Sequence, residues 1–430
     1  MFSSLIDGPG VVHSRFGDLA RGRCVTMENG FRPEASFGNF AEDDRIMIHL
    51  TVTGRCYAQC QGCINSAVTL GCDQPRNHIV LDLESRPERD VSIIQDLVSG
   101  TPDRECVLCF YGGEPFLVPD IMDAVRRGLE GSRLAGRLRY MVYTNGELLI
   151  EAYRRNPDLV RGMWLYSVSI DGDEAQHNRV RVGTRYGRII ENLRFLREVY
   201  SGNVLQWSTL RESQSLGTCF ETFLELYGRG LVNHFFWHWS ETREPFADFP
   251  AYAAGYGSEL EQVVGEYTER LFRGEVLPIA HLNELVLFLL TGTKRGHTAC
   301  GVELARNFDI VAGRVHACAD LPACLVLGEH GPEGGPDLCA GDLGALVLYK
   351  DHLGCYECGV HAYCGGRCPV QALAGSPLRT LQYCQLMRLH VGIVKERIDE
   401  IEAGLSRMGV TAQDLYDRFA LLSRYTDVVP

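Results

Sequence analysis

The chain has 430 residues, a formal net charge of −13, 45% hydrophobic and 23% charged residues. That composition fits a soluble globular protein large enough for two domains or a domain with extensions, and its acidity argues against broad contact with nucleic acid, though not against a basic peptide. No run approaches the roughly 20 apolar residues of a membrane span, and the start, Met1 to Gly8, lacks the basic region and apolar core of a signal peptide, so the expected location is the cytoplasm.

Residues 1–45 read as an N-terminal extension. From 46 to 240, short runs rich in Val, Ile, Tyr, Phe or Trp predict strands at Ile46–Thr53, Cys106–Tyr111, Leu138–Tyr143, Trp164–Ile170, Val204–Leu210 and Val232–Trp239. Amphipathic stretches at Val91–Val98, Ile121–Leu129, Gly187–Val199 and Thr218–Tyr227 lie between them. The fold class is therefore α/β, with six units in series forming a parallel sheet that curls into an open or partial (β/α)6 barrel. Chemistry in parallel barrels sits at the C-terminal strand ends.

Residues 241–299 read as a helical connector, with helical patterns at Leu260–Phe272 and Leu282–Leu290. Residues 300–385 are dense in Cys, Gly and Pro, and such a segment usually needs metal to hold it. A tail at 386–430 returns to helix, with amphipathic patterns from Gln385 to about Arg407 and at Ala412–Leu422.

Of the 17 cysteines, twelve fall within residues 56–63 and 300–384. A reducing compartment disfavours disulfides, so the clustering points to metal. Cys56-x3-Cys60-x2-Cys63 follows directly on the first strand. Three thiolates on a four-iron cubane leave one iron open, as catalysis at a metal requires. The alternative is a structural zinc, with Cys72 as the one nearby fourth ligand. Cys24, Cys72, Cys106, Cys109 and Cys219 read as buried small hydrophobes. His234 and His238 share a strand face at the barrel mouth and read as satisfied structural histidines, with substrate contact as the alternative.

The octet Cys56 to Cys63 resembles the signature of the radical S-adenosylmethionine superfamily. Gly62 departs from it, because an aromatic residue usually precedes the third cysteine. Tyr111-Gly112-Gly113-Glu114-Pro115 resembles the family's GGEP motif, which binds the methionine ammonium; paired glycines let a ligand approach the backbone. Thr144 and Asn145, then Ser169 and Asp171, resemble the segments that approach the methionine carboxylate and the ribose. In His177-Asn178-Arg179-Val180-Arg181, Arg181 would meet the carboxylate bidentately, with Arg179 as its rival.

Cys355-x2-Cys358-x5-Cys364-x3-Cys368, then Cys384, with Cys300-x12-Gly313-x4-Cys318 upstream, resembles the SPASM extension of the same family, which carries two auxiliary 4Fe–4S clusters. Cys324-x9-Gly334-x4-Cys339 satisfies the same upstream spacing. Phe308, Ile310 and Val315 alternate around Ala312-Gly313 as in a hairpin, whereas residues 325–338 show no second strand, so Cys300 and Cys318 are taken as the pair. The resemblance implies an outer cluster on Cys355, Cys358, Cys364 and Cys384. It implies an inner cluster on Cys300, Cys318, Cys368 and either Cys324 or Cys339, with Cys324 favoured because it closes a short loop with Cys318. Two zinc sites are the alternative.

The resemblance also implies S-adenosylmethionine as cofactor beside three 4Fe–4S clusters, and an external electron donor of flavodoxin or ferredoxin type. The expected activity is hydrogen abstraction from a peptide or protein side chain, giving an oxidation or a crosslink. The alternative is a small-molecule dehydrogenase or rearrangement enzyme. Sulfatase-maturing members carry aspartate directly after the cysteine matched by Cys318; here Ala319 stands there and Asp320, the candidate base, follows. The 55 residues before Cys56 leave little room for a leader-binding domain.

Overall fold

The β-branched and aromatic runs form strands β1 (Ile46–Thr53), β2 (Cys106–Gly112), β3 (Leu138–Thr144), β4 (Leu165–Ser169), β5 (Asn203–Leu210) and β6 (His234–Trp239). A computed structural model describes residues 37–64, 83–99, 101, 104–242, 244–321, 326–329 and 343–426. The six strands pair in parallel, each with its neighbour in sequence, with helices between them at Pro87–Ser99, Pro119–Glu130, Tyr186–Val199 and Leu216–Gly228. This is the α/β partial barrel that the periodicity predicts.

The cysteine-rich segment does not stand apart from the barrel. Its strands β7 (Asn307–Val311), β8 (Arg314–His316) and β9 (Val326–Glu329) extend the sheet in the order β6-β5-β4-β3-β2-β1-β7-β8-β9. β7 runs parallel to β1, with Met47–Leu50 opposite Asn307–Ile310. The turn at Ala312 (φ 54) and Gly313 (φ 84) is the predicted hairpin, and positive φ at both central residues suits the right-handed strand twist. β9 corrects the expectation that residues 325–338 hold no strand. It pairs with β8, and its Leu327 is buried, so it adds a third strand to the hairpin that lies between Cys300 and Cys318.

Side chains alternate across the sheet. One face packs on the helices, while Met47, Val107, Cys109, Met141, Leu165, Leu205 and Phe236 form a separate core inside the barrel. The C-terminal tail closes the floor of that core with Leu422 and Tyr425. Tyr143 donates to the Tyr425 carbonyl at 2.8 Å, and the Tyr425 hydroxyl donates to Asp43 at 2.6 Å. A closed floor leaves the strand C-termini as the open end.

The connector supplies helices Phe249–Phe272 and Ala280–Thr291. The helix expected from Gln385 starts at Pro377, with the Ser376 hydroxyl capping Arg379 N–H at 3.1 Å, so Cys384 sits on a long helix. Among the described residues, no helix is long and apolar enough to cross a membrane.

Candidate active site

Five consecutive strand ends meet at the open end. After β1 the chain turns through Cys56, Cys60 and Cys63, held by neighbouring backbone: Gln59 N–H donates to Val182 O at 2.7 Å and Gln61 N–H to Val180 O at 2.9 Å. Arg211, just past β5, donates to the Gln61 carbonyl from the other side. Gly62 has φ +62, the left-handed region, and a Cβ there would stand 3.1 Å from Ser240 Oγ. The missing aromatic residue therefore has a local cause: backbone conformation asks for glycine at that position.

The three thiols lie close enough to interact electrostatically. Cys56 is exposed to solvent on one side, and partial desolvation by the surrounding loop raises its thiol, against a hydrogen bond from Ala58 N–H. Burial also raises Cys60, and the Arg181 guanidinium opposes it.

The Gly-Gly pair serves the cysteine loop directly. A Cβ on Gly112 would lie 2.2 Å from Thr53 O, and one on Gly113 2.1 Å from Arg55 O. Gly113 and Glu114 N–H donate to those carbonyls at 2.9 Å each. The close approach that the sequence reserved for a ligand is thus partly taken by backbone, and β2 pins the exit of β1. Gly113→Ala is expected to lower stability by about 1–3 kcal/mol, as overpacking does, and to loosen the loop. Urea unfolding and the iron retained after gel filtration measure both effects.

Glu114 is fully buried and accepts from Phe116 N–H at 3.1 Å, the Thr144 hydroxyl at 2.8 Å and Asn145 N–H at 2.8 Å. Burial pushes its carboxyl up to about 7, although those donors favour the ionised form. Its side chain shapes the loop after β3. There Asn145 Oδ1 accepts from the Tyr57 hydroxyl at 2.8 Å, while Asn145 Nδ2 is buried without a hydrogen-bond partner. An orphaned donor beside a thiol loop is suited to a ligand oxygen.

Asp171, after β4, is fully buried and receives Arg181 Nε at 2.6 Å, Arg181 Nη2 at 3.1 Å, Arg211 Nη1 at 2.9 Å and Thr209 N–H at 2.9 Å. Burial alone would raise it; the two guanidinium groups instead hold it well below the usual carboxylate range. Arg181 gives its fork to Asp171 and reaches toward Cys60. Arg179 donates instead to Ser213 O at 3.0 Å, away from the thiols. His177 accepts from Asp171 N–H at 3.2 Å and is held down to about 4 by burial. Ser169 closes β4 half-buried, opposite Trp207 of β5. Arg211 escaped the sequence reading, though its place just past a strand end is the signal that found the others.

Inside the barrel, His49, Tyr111, Tyr143, Trp207 and His238 form a belt of rings with neighbouring centroids 5.1–6.2 Å apart. His49 Nδ1 lies 2.8 Å from Asp309 of β7. His234 and His238 are buried, with Nε2 of each bonded, to Asn203 and to Thr209, while Nδ1 of each is buried without a geometric hydrogen-bond partner, so the reading as satisfied histidines holds for one ring nitrogen of each.

The later cysteines fall into two groups. Cys355, Cys358, Cys364 and Cys384 act on one another's charge, as do Cys300, Cys318 and Cys368. Burial pushes Cys355 up to about 11 and Cys384 up to about 12. Among the described residues no three His, Cys, Asp or Glu side chains converge as around a single ion; a cubane spreads its thiolates over separate irons. Asp320 is half-buried and, after burial, the main influence raising Cys318. Ala319 shares a small core with Leu83 and Val311, against which Tyr111 of β2 packs, so this loop lies near the barrel mouth. Cys324, Cys339, Cys24 and Cys72 lie outside the described residues. Cys106, Cys109 and Cys219 are buried as expected.

Fold and site together define an α/β partial-barrel protein with a thiol-bearing first loop and a cysteine-rich segment joined to its sheet. Its fold is shared with native anSMEcpe with bound AdoMet (TM-score 0.62, 16% identity, covering 84% of this chain and 99% of that one). Native anSMEcpe with bound AdoMet and Cp18Cys peptide gives 0.61 and 16%, covering 84% and 99%. SuiB of Streptococcus suis bound to S-adenosylmethionine gives 0.51 and 15%, covering 76% and 73%. At such identities the likeness establishes the fold, which is the one the sequence resemblance implies. No protein-family model matches the chain, and no curated protein matches it by sequence.

Proposed function

We propose that the chain is a radical S-adenosylmethionine enzyme that abstracts hydrogen from a peptide or protein side chain, giving an oxidative modification or a crosslink. One observation carries this reading: Cys56, Cys60 and Cys63 gather at the end of β1, beside Arg181 and the Glu114–Asn145 loops. Those thiols would hold a 4Fe–4S cluster. A cluster there, with S-adenosylmethionine bound beside it, would supply reductive cleavage of the sulfonium and the radical that abstracts hydrogen.

The chain's own residues have four tasks. Arg181 places positive charge against Cys60 and favours its thiolate. Asp171 holds that guanidinium in place. Glu114 fixes the loop that presents Asn145 Nδ2 to a cofactor oxygen. The closed floor and the ring belt keep bulk water from the barrel interior. Auxiliary clusters would sit on Cys355, Cys358, Cys364 and Cys384, and on Cys300, Cys318, Cys368 with Cys324 or Cys339. Asp320 is the candidate base. The peptide assignment is supported by the peptide bound in the anSMEcpe structure. An external flavodoxin- or ferredoxin-type donor and a cytoplasmic setting complete the reading.

Anaerobic reconstitution should yield about twelve irons and as many sulfides, the content of three cubanes, with 5′-deoxyadenosine formed on adding dithionite. About four irons would overturn the auxiliary-cluster assignment. Failure to form 5′-deoxyadenosine would overturn the whole reading.

A further inference from the structure

The helix Pro377–Glu396 turns part of one face to solvent beside the open end of the barrel. Of the nine large apolar side chains exposed among the described residues, three lie within residues 373–381: Leu373 (47%), Leu378 (38%) and Leu381 (41%). Leu378 and Leu381 stand three apart and so share a helix face, and Pro377 beside them is exposed as well. Leu373 belongs to the short helix Pro369–Ala374 just before. Thr380 Oγ1 donates back to Gln371 O at 3.2 Å and holds the two helices together. An exposed apolar cluster rimmed by polar residues marks a binding surface.

The rim identifies the occupant. The chain leaving β6 is bonded to both helices: Thr242 N–H donates to Gln371 Oε1 at 3.0 Å, Phe246 N–H to Gln382 Oε1 at 3.0 Å, and the Tyr383 hydroxyl to Ser240 O. The Arg379 guanidinium, next to Leu378, lies over the Phe246 ring. The leucines therefore border the loop that runs out of the barrel mouth. Of that loop's acids, Glu241 is buried and pairs with Arg367 at 3.4 Å, but Glu244 and Asp248 are exposed. Glu212, exposed just past β5, joins them by accepting from Ala247 and Asp248 N–H at 2.7 and 3.2 Å. None of these three exposed carboxylates has a cationic side-chain partner among the described residues. Arg243, the one basic residue of the loop, lies outside the described residues. The rim is thus acidic, on a chain of net charge −13. An acidic protein, or a second copy bringing the same −13, is repelled there, whereas a basic partner is drawn in.

We propose that this face docks a basic amphipathic segment of the substrate peptide, with its apolar stripe on Leu373, Leu378 and Leu381 and its Lys or Arg side chains at Glu212, Glu244 and Asp248. This rests on the peptide reading above. A helical segment offers apolar residues three and four apart to such a face. The leucines supply most of the affinity, while the rim charges steer the approach and set its direction. A segment held against the loop that leaves β6 delivers the rest of its chain to the barrel mouth.

The test is fluorescence anisotropy of the full reconstituted chain with a labelled peptide of about 18 residues, leucine on one helical face and lysine on the other. The wild type should bind it, less tightly as salt rises. The double variant Leu378→Ser, Leu381→Ser should bind about tenfold more weakly or worse, as loss of central anchors does. Glu244→Lys should weaken binding several-fold and flatten the salt dependence. These side chains are exposed, so circular dichroism should show the variants folded. Phe272→Ser and Glu221→Lys, exposed on other helices, are controls that should bind as the wild type does. No binding by the wild type overturns the inference, as does equal binding by the double variant, an equal loss in the controls, or equally tight binding of a peptide with glutamate for lysine. A dimer in sedimentation that the double substitution disperses also overturns it, because a second copy is then the occupant. Failure of the enzyme reading is separate: it appears as no 5′-deoxyadenosine from a wild type that still binds the peptide through its leucines.

Discussion

Cys60→Ala is expected to remove 5′-deoxyadenosine formation to background and to lower the iron count by about four, with the chain still folded. The loop's geometry explains why folding survives. Its anchors are backbone bonds, Gln59 to Val182 and Gln61 to Val180, with Arg211 on the Gln61 carbonyl; the thiols contribute none of them. Cys60 is half-buried, so its truncation opens little core. The thiolate is the ligand, and neither a methyl group nor the weakly acidic serine hydroxyl replaces it. Cys56→Ala and Cys63→Ala should behave alike. Each loss should exceed the roughly 10–100-fold cost of removing an outer partner of a metal ligand. Cys219→Ala is the control: that thiol is fully buried against the barrel helices, so it should cost stability and leave the iron content unchanged. Iron analysis, circular dichroism and chromatography of 5′-deoxyadenosine decide the case. A Cys60→Ala variant that still cleaves S-adenosylmethionine would falsify the catalytic assignment.

The strands and the strand-end residues were legible because each depends on neighbours in sequence. Alternating runs predict β1 to β6 within a residue or two, and small polar residues after each run mark the open end. Partners distant in sequence were not legible. Asn307–Val311 reads as a strand, but its pattern does not say that it lies beside β1. The same holds for Glu241 and Arg367, 126 residues apart. Asp171 looked like a cofactor contact, since a strand-end aspartate has that appearance; only the fold shows two guanidinium groups closing on it. Ser376-Pro377 is a helix-start signal, but the density of cysteines around it masks the helix. Gly62 works the other way: it breaks the motif's pattern, and its positive φ explains the break.

Asp171→Asn should destabilise the protein by about 3–5 kcal/mol, the cost of breaking a buried ion pair. The amide is nearly isosteric, so the effect is one of charge: Arg181 and Arg211 would face each other in the interior without their shared carboxylate. Both also touch the cysteine loop, Arg181 at Cys60 and Arg211 at Gln61, so iron retention should fall with stability. The pH dependence separates this cause from simple loss of packing. Arg181 and Arg211 overcome burial and depress the folded-state carboxyl well below its usual range, whereas the unfolded chain titrates near about 3.9. Above that value both states are ionised and the stabilisation is fully present. As pH falls below it, the unfolded chain binds a proton that the folded chain refuses, and the wild type loses this contribution. The asparagine variant has no such group to titrate. The stability gap between the two proteins should therefore be constant above about pH 5 and shrink below about pH 4. Urea unfolding of both chains across that range measures it, and a gap that stays constant into acid would show that charge at Asp171 does not hold the arginines.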